Sequence, residues 1–328
     1  MGVPEINRSL LPWIYAIGLI LLHGATIGCS SKTASKPVTN EYHGVKVVDN
    51  YQWLENGTDP EVRKWSSAQN QEARAYLDKL PLRPFIHDQL ERLFSQTSAN
   101  YSALAWRAGK LFMLKFQPPA QQPVLVSLNS PDDLKKITVI LDPNELSSDG
   151  SVSMDWFVPS LDGKLVAVTL SEKGSEAGTL YIYETATGKK RSDTIPRVQF
   201  PTGGGSAAWN QEGTGVFYTR YPAQGERAEA DRMFYQQVYF HKLGTPPETD
   251  RLELGKDLPR IAEIDLKASP DGRYVLATVA NGDGGDYAHF LRGPSGKWNQ
   301  VTRFEDKVKQ AEFGRDPLYI EWGKDENL

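Results

Sequence analysis

The chain has 328 residues, of which 39% are hydrophobic and 10% aromatic, enough apolar material for a sizeable core and too much for a disordered or low-complexity protein. Its formal charge of −4 contains no long basic or acidic block, so no nucleic-acid surface is indicated. Cys29 is the single cysteine, which excludes an internal disulfide framework.

The first element is an export segment. Arg8 precedes LLPWIYAIGLILLHGATIG, an apolar run of signal-peptide length that ends in small residues. Pro12, Gly18, His23 and Gly24 interrupt it, which argues against a spanning helix of about 20 apolar residues. Cys29 follows Thr26-Ile27-Gly28, a context that resembles a bacterial lipoprotein signal, in which the cysteine is lipidated and begins the mature chain. Thr26 stands where such signals usually carry Leu, and cleavage by an ordinary signal peptidase near the same place is the alternative. The expectation is export signal over 1–29, flexible linker over 30–41, and a protein of the periplasm or outer membrane, lipid-anchored at Cys29.

Residues 42–97 read as a helical segment. Asp59 is placed to cap a helix, with Pro60 in its first position and Glu61 near the positive end of its dipole. Val62, Trp65, Ala73, Tyr76, Leu77 and Leu80 fall mostly on one side of it. A second helix is predicted around Phe85 to Phe94, where Ile86, Leu90, Leu93 and Phe94 recur at spacings of three and four. Both apolar stripes require something to cover them.

From residue 98 the period changes to that of strands. SLDGKLVAVTL (160–170), NQEGTGVFYTR (210–220), SPDGRYVLATV (269–279) and, more faintly, WRAGKLFMLKF (106–116) each place a polar turn and a glycine before a run of β-formers. Their glycines, Gly109, Gly163, Gly213 and Gly272, are 54, 50 and 59 residues apart. A second echo, ending in a glycine turn, follows three of them at 179–190, 237–248 and 288–299. Strand, turn, strand and a further hairpin make one four-stranded unit, and the period is close to that of β-propeller blades. The predicted fold is mainly β: a partial β-propeller of roughly four to five four-stranded blades over 98–328, preceded by the short α-helical segment.

Hydrolytic chemistry finds no motif. A G-x-S-x-G nucleophile turn is absent, and Ser206 in GGGSAAW, which lacks the second glycine, reads as a loop entering a strand. His23 lies in the export segment, His43 beside the helical segment, His87 on a predicted helix, and His241 and His289 on predicted strands. No spacing ties any of them to a nucleophile and a carboxylate, so each reads as packing or surface. Asp283 and Asp286 in NGDGGDY lack the spacing and closing Glu of a calcium loop and read as a hairpin tip. No catalytic residue, metal site or cofactor is expected.

One stretch is more specific. YHGVKVVDNYQWLENGTDPEVRKWSSAQNQEARAYL resembles the amino-terminal signature of prolyl oligopeptidases, a D-x-Y-x-W-L-E run followed by W-x-x-x-Q-N, with Asp49, Tyr51, Trp53, Leu54, Glu55, Trp65, Gln69 and Asn70 in those positions. The likeness continues through SAAWNQEGTGVFYTRYP, QQVYFHKLGT and SPDGRYVLATV and covers residues 42–328. The resemblance implies a seven-bladed propeller that gates a Ser/Asp/His α/β-hydrolase domain cutting short proline-containing peptides, of which this chain holds the preface and part of the gate. On that basis the chain is expected to be the substrate-gating portion of an exported serine peptidase, inactive by itself. Its partners would be short peptides, a hydrolase domain if the gene continues, and a membrane through the lipid. The alternative is a lipid-anchored propeller module that binds a peptide or protein partner without catalysis.

Overall fold

The computed structural model describes residues 33–132, 136–198, 205–314 and 318–322. They fall into two compact units that divide after Leu93.

The first unit opens with a hairpin of β1 (Val38–Tyr42) and β2 (Val45–Asp49). His43 and Gly44 make its turn, both at positive φ (50° and 81°), the backbone that matches the twist of a two-residue hairpin. This hairpin corrects the expected boundaries: β1 begins inside the stretch read as linker, and β2 inside the segment read as helical. The two-residue His43-Gly44 turn, flanked by the β-formers Tyr42, Val45, Val47 and Val48, favours strand pairing over a helix that Gly44 would break.

Helix α1 (Pro60–Leu77) starts as its sequence dictates: Asp59 is extended, and its side chain accepts the Glu61 N–H at 2.7 Å. Helix α2 (Arg83–Ser95) follows after a short turn. Only Val62 of α1 is buried, and α2 buries none of its residues. Phe85, Leu93 and Phe94 are 61–63% exposed. The amphipathic stripes exist, but nothing among the described residues covers most of them.

The second unit consists of antiparallel meanders. The first blade is β3 (Asn100–Arg107), β4 (Lys110–Phe116), β5 (Val124–Leu128) and β6 (Thr138–Leu141). The second is β7 (Val152–Pro159), β8 (Leu165–Glu172), β9 (Thr179–Glu184) and β10 (Lys190–Pro196). The third is β11 (Ala207–Trp209), β12 (Gly215–Arg220), β13 (Gln237–Lys242) and β14 (Arg251–Leu254). The fourth is β15 (Ala262–Ala268), β16 (Val275–Asn281), β17 (Tyr287–Arg292) and β18 (Trp298–Thr302), and β19 (Val308–Phe313) pairs with β20 (Leu318–Trp322) as the start of a fifth. This is the four-stranded repeat that the glycine period predicts.

The repeated turns are equivalent down to single hydrogen bonds. Ser160 Oγ accepts the Leu165 N–H, Asn210 Oδ1 the Gly215 N–H, and Ser269 Oγ the Tyr274 N–H, each at 3.0 Å. Gly163, Gly213 and Gly272 carry φ of 65°, 65° and 72°, a left-handed conformation that costs a residue with a Cβ about 1–2 kcal/mol. All three join the first strand of a blade to the second. The polar residue opening each motif is therefore a turn lock and the glycine its hinge.

Each core lies between blades, because successive residues of a strand point to opposite faces. Val166 and Val168 of β8 pack with Phe112, Leu125 and Ile140 of the first blade. Ala167 between them packs with Trp209, Val216 and Tyr218 of the third. Phe217 in turn joins Ile264, Val275 and Ala277 of the fourth. Burial on both faces explains why the second strands read as near-continuous apolar runs rather than as alternation.

Candidate functional site

Where the third blade meets the second, a buried polar cluster interrupts the apolar core. His241 on β13 places Nδ1 2.9 and 3.1 Å from the two carboxylate oxygens of Asp250, which immediately precedes β14. Its Nε2 lies 3.2 Å from Oδ1 of Asp193 on β10. Tyr218 of β12 donates its hydroxyl to Asp250 Oδ2 at 2.8 Å, and the Gly244 N–H donates to Asp193. The side chains of His241 and Asp193 are 0% exposed.

Two facing carboxylates decide the charge state. Burial by itself pulls the His241 pKa down, but hydrogen bonds and charge from Asp250 and Asp193 outweigh it and hold the pKa above the ordinary value. Burial likewise pushes Asp193 up, and the Gly244 N–H and the His241 hydrogen bond bring it below the usual carboxylate range. An imidazolium between two carboxylates has both nitrogens committed, so it has no free lone pair with which to take a proton from a hydroxyl. The cluster is an ionic pin between blades rather than a base.

A cavity of about 290 Å3 adjoins it, lined by Tyr218, Tyr239, Arg197, Arg220, Glu226 and Asp250 among others. Arg220 is held in a two-pronged pair with Glu226 at 2.8 and 2.9 Å and lies 4.0 Å from the Tyr239 ring centre. Burial opposes its charge, but the Glu226 hydrogen bonds keep its pKa raised. Its charge is already spent inside the wall.

The residues singled out by sequence are not brought together. Ser206, 8% exposed, donates its hydroxyl to the Ile264 carbonyl at 3.1 Å and accepts the Leu266 N–H at 2.9 Å, so it ties β11 to β15. His289 is buried on β17, with Nδ1 2.7 Å from the Thr302 hydroxyl oxygen, and burial lowers its pKa. His87 is exposed on α2, with Nδ1 3.5 Å from Asp88, and His43 sits in the β1–β2 turn. Asp286, in the β16–β17 hairpin, is paired with Lys307 at 2.9 Å, and Lys309 donates to the Gly285 carbonyl at 2.6 Å, so lysines already occupy this acidic tip. Cys29 and His23 lie outside the described residues.

Sequence reasoning missed the Asp193–His241–Asp250 cluster. The outer residues stand 48 and 9 positions from the histidine, and neither spacing belongs to a motif. The available signal is Asp193 alternating with Ile195 at the inward positions of β10, a charged residue where the pleat demands a buried one.

Fold and site together define a β-propeller segment whose buried polar groups brace its blades. Residues 32–325 match the family model described as the prolyl oligopeptidase N-terminal β-propeller domain, and the chain belongs to the prolyl oligopeptidase family. It is 29% identical over 293 residues to a prolyl endopeptidase of Elizabethkingia meningoseptica, covering 88% of this chain and 40% of that protein. It is 27% identical over 315 residues to prolyl oligopeptidase A of Amanita bisporigera, covering 85% and 40%. Among solved structures, one from a study of two prolyl endopeptidases superposes with a TM-score of 0.77 at 25% identity, over 89% of this chain and 42% of that one. Prolyl oligopeptidase B from Galerina marginata, bound to a 35-residue hydrolysis and macrocyclization substrate, gives 0.69 at 25% identity, over 89% and 44%. The chain thus spans about two fifths of its curated relatives, the propeller part.

Proposed function

We propose that this chain is the substrate-gating, N-terminal portion of an exported prolyl-oligopeptidase-like serine peptidase acting on short proline-containing peptides, and that it hydrolyses nothing by itself. The observation that carries the reading is the match of residues 32–325 to the propeller domain alone, together with the absence of a G-x-S-x-G motif from the sequence. Access control is the contribution a propeller makes to such an enzyme: it encloses the reaction and excludes large substrates. The exposed apolar faces of α1 and α2 support a further body that covers them, and a hydrolase domain is the partner proposed. The apolar segment before Cys29 supports export, with lipidation of that cysteine and a periplasmic or outer-membrane location.

The test is to offer the purified full chain a fluorophosphonate serine probe and a Gly-Pro chromogenic peptide. Neither labelling nor cleavage is expected. Stoichiometric labelling mapped to a serine within 42–328 would overturn the non-catalytic part of the reading.

A further inference from the structure

The first strand of the second blade carries a carboxylate with no cationic partner among the described residues. Asp155 sits in a bulge of β7, where the pairing with β8 slips between Met154 and Trp156, and a bulge re-aims the side chain it carries. Its Oδ1 accepts the Ser171 hydroxyl at 2.6 Å, and Ser171 Oγ lies 3.1 Å from Ser153 Oγ. Its Oδ2 is buried and has no hydrogen-bond partner. Thr169, two residues before Ser171 on the same face of β8, is 0% exposed, and its Oγ1 has no partner either. Gly178 borders the same place. A Cβ there would overlap the Val198 carbonyl oxygen and stand 3.1 Å from Asp155 Oδ2, so the lack of a side chain lets carboxylate and carbonyl face one recess. Burial raises the Asp155 pKa, the Ser171 and Thr169 hydroxyls pull it back, and the like charge of Glu176 raises it further.

We infer that this recess is a binding site for a monovalent cation of sodium size, held by Asp155 Oδ2, Thr169 Oγ1 and the Val198 carbonyl. All three atoms are hard oxygens, the donor type that suits alkali and alkaline-earth ions. Buried polar atoms find partners with few exceptions, and here two orphaned oxygens belong to one recess. A proton does not join them, because it needs a donor and an acceptor about 2.5–3.0 Å apart, and Oδ2 and Oγ1 are not in hydrogen-bond contact. A hard cation with oxygen contacts of about 2.4 Å spans oxygens nearly 5 Å apart. Charge sets the valence: one carboxylate balances one positive charge, whereas calcium loops bring several carboxylates to the ion. Asp155 is only partly buried, which leaves the ion a way in. Bound there, the cation ties β7, β8 and the chain leaving β10 together at the end of the blade where the bulge interrupts the ladder.

The purified full chain is melted at about pH 8, well above the ordinary carboxylate range, with unfolding followed by tryptophan fluorescence. Choline chloride is exchanged stepwise for sodium chloride at constant ionic strength. Sodium at about ten times its Kd should raise Tm by about 3 °C and the rise should level off, with no such rise in choline. Asp155→Asn removes the charge and Thr169→Val the oxygen, each at nearly constant shape, and each should melt at the same temperature in both salts. A wild-type Tm that is equal in sodium and choline overturns the site. A sodium-dependent rise that persists in both variants overturns it too, because the ion then binds elsewhere. Stabilisation by calcium chloride without any by sodium chloride overturns the monovalent assignment. Thr169→Val carries the test even where Asp155→Asn fails to fold.

Discussion

His241 Nε2 and Asp193 Oδ1 lie 3.2 Å apart with both side chains fully buried, although one belongs to the third blade and the other to the outer strand of the second. An ion pair in that position joins two sheets whose interface is mostly apolar, beside the Gly244 N–H donated to Asp193 and the Trp209 indole N–H donated to the Val158 carbonyl at 2.9 Å. Removing one member strands the other in a medium that cannot solvate it. His241→Leu, which takes the imidazolium from Asp250 and leaves Asp193 only the longer pair with Arg191 at 3.7 Å, is therefore expected to lower stability by about 3–5 kcal/mol. Urea unfolding followed by tryptophan fluorescence measures this. The double change His241→Leu with Asp193→Leu should lose less than the sum of the two singles, because Asp193 is no longer stranded, although Asp250 still is.

The same pair sets a pH window. The folded-state pKa of His241 is raised, so its contribution is complete below the ordinary histidine value of about 6.5 and is lost as pH rises through the higher folded value. That of Asp193 is lowered, so its contribution is complete above about 3.9 and is lost as pH falls through the lower folded value. The stability difference between wild type and His241→Leu should be largest between about pH 4 and 6.5 and shrink on either side. A difference that grows steadily to pH 9 would show that the histidine is neutral in the fold.

Ser206→Ala tests the brace between β11 and β15. It leaves the Ile264 carbonyl and the Leu266 N–H buried without the hydroxyl that serves both. The expected cost is about 1–3 kcal/mol, with hydrogen exchange accelerated at Leu266 ahead of sites in the second blade.

The glycine turns give a graded series. A Cβ at Gly213 (φ 65°) meets nothing within 4 Å, so Gly213→Ala should cost only the left-handed backbone term of about 1–2 kcal/mol. At Gly272 (φ 72°) the same Cβ would stand 2.2 Å from Leu161 Cδ1 and 3.0 Å from Gln211 Cα. Gly272→Ala should therefore cost more, and differential scanning calorimetry of the two variants decides the order.

Phe85 and Leu93 on α2 offer the converse case. Exposed as they are, Phe85→Ser and Leu93→Ser should each change stability by no more than about 0.5 kcal/mol. Binding of an apolar dye should fall in both, because these rings and methyls are the adhesive surface being removed. A large stability loss would mean that the face is already covered in the isolated chain.

Much of this architecture was legible in one dimension. Asp59-Pro60 marks the start of α1 because capping and proline geometry are local, settled within two or three residues. The turns at Gly163, Gly213 and Gly272 are legible for the same reason: positive φ and a side-chain lock belong to six consecutive residues. Their recurrence then implies the blades, since a four-stranded sheet buried on both faces needs equivalent neighbours. The β1–β2 hairpin was less legible, because five-residue strands around His43-Gly44 carry too little pattern beside the strong helical signal that follows.

What only the tertiary structure decided is the use made of isolated polar residues. Asp193 stands 48 positions from His241, and Ser206 58 and 60 from its partners at Ile264 and Leu266, and no local rule says which residues meet. Their partners are chosen by the stacking of one sheet on the next, where a buried polar atom must find whatever complementary group the neighbouring blade presents. The sequence by itself determined the repeat, because turns and pleats are settled by neighbours in the chain. Packing between repeats determined the pins, because hydrogen bonds across 48 to 60 residues exist only once both surfaces are formed.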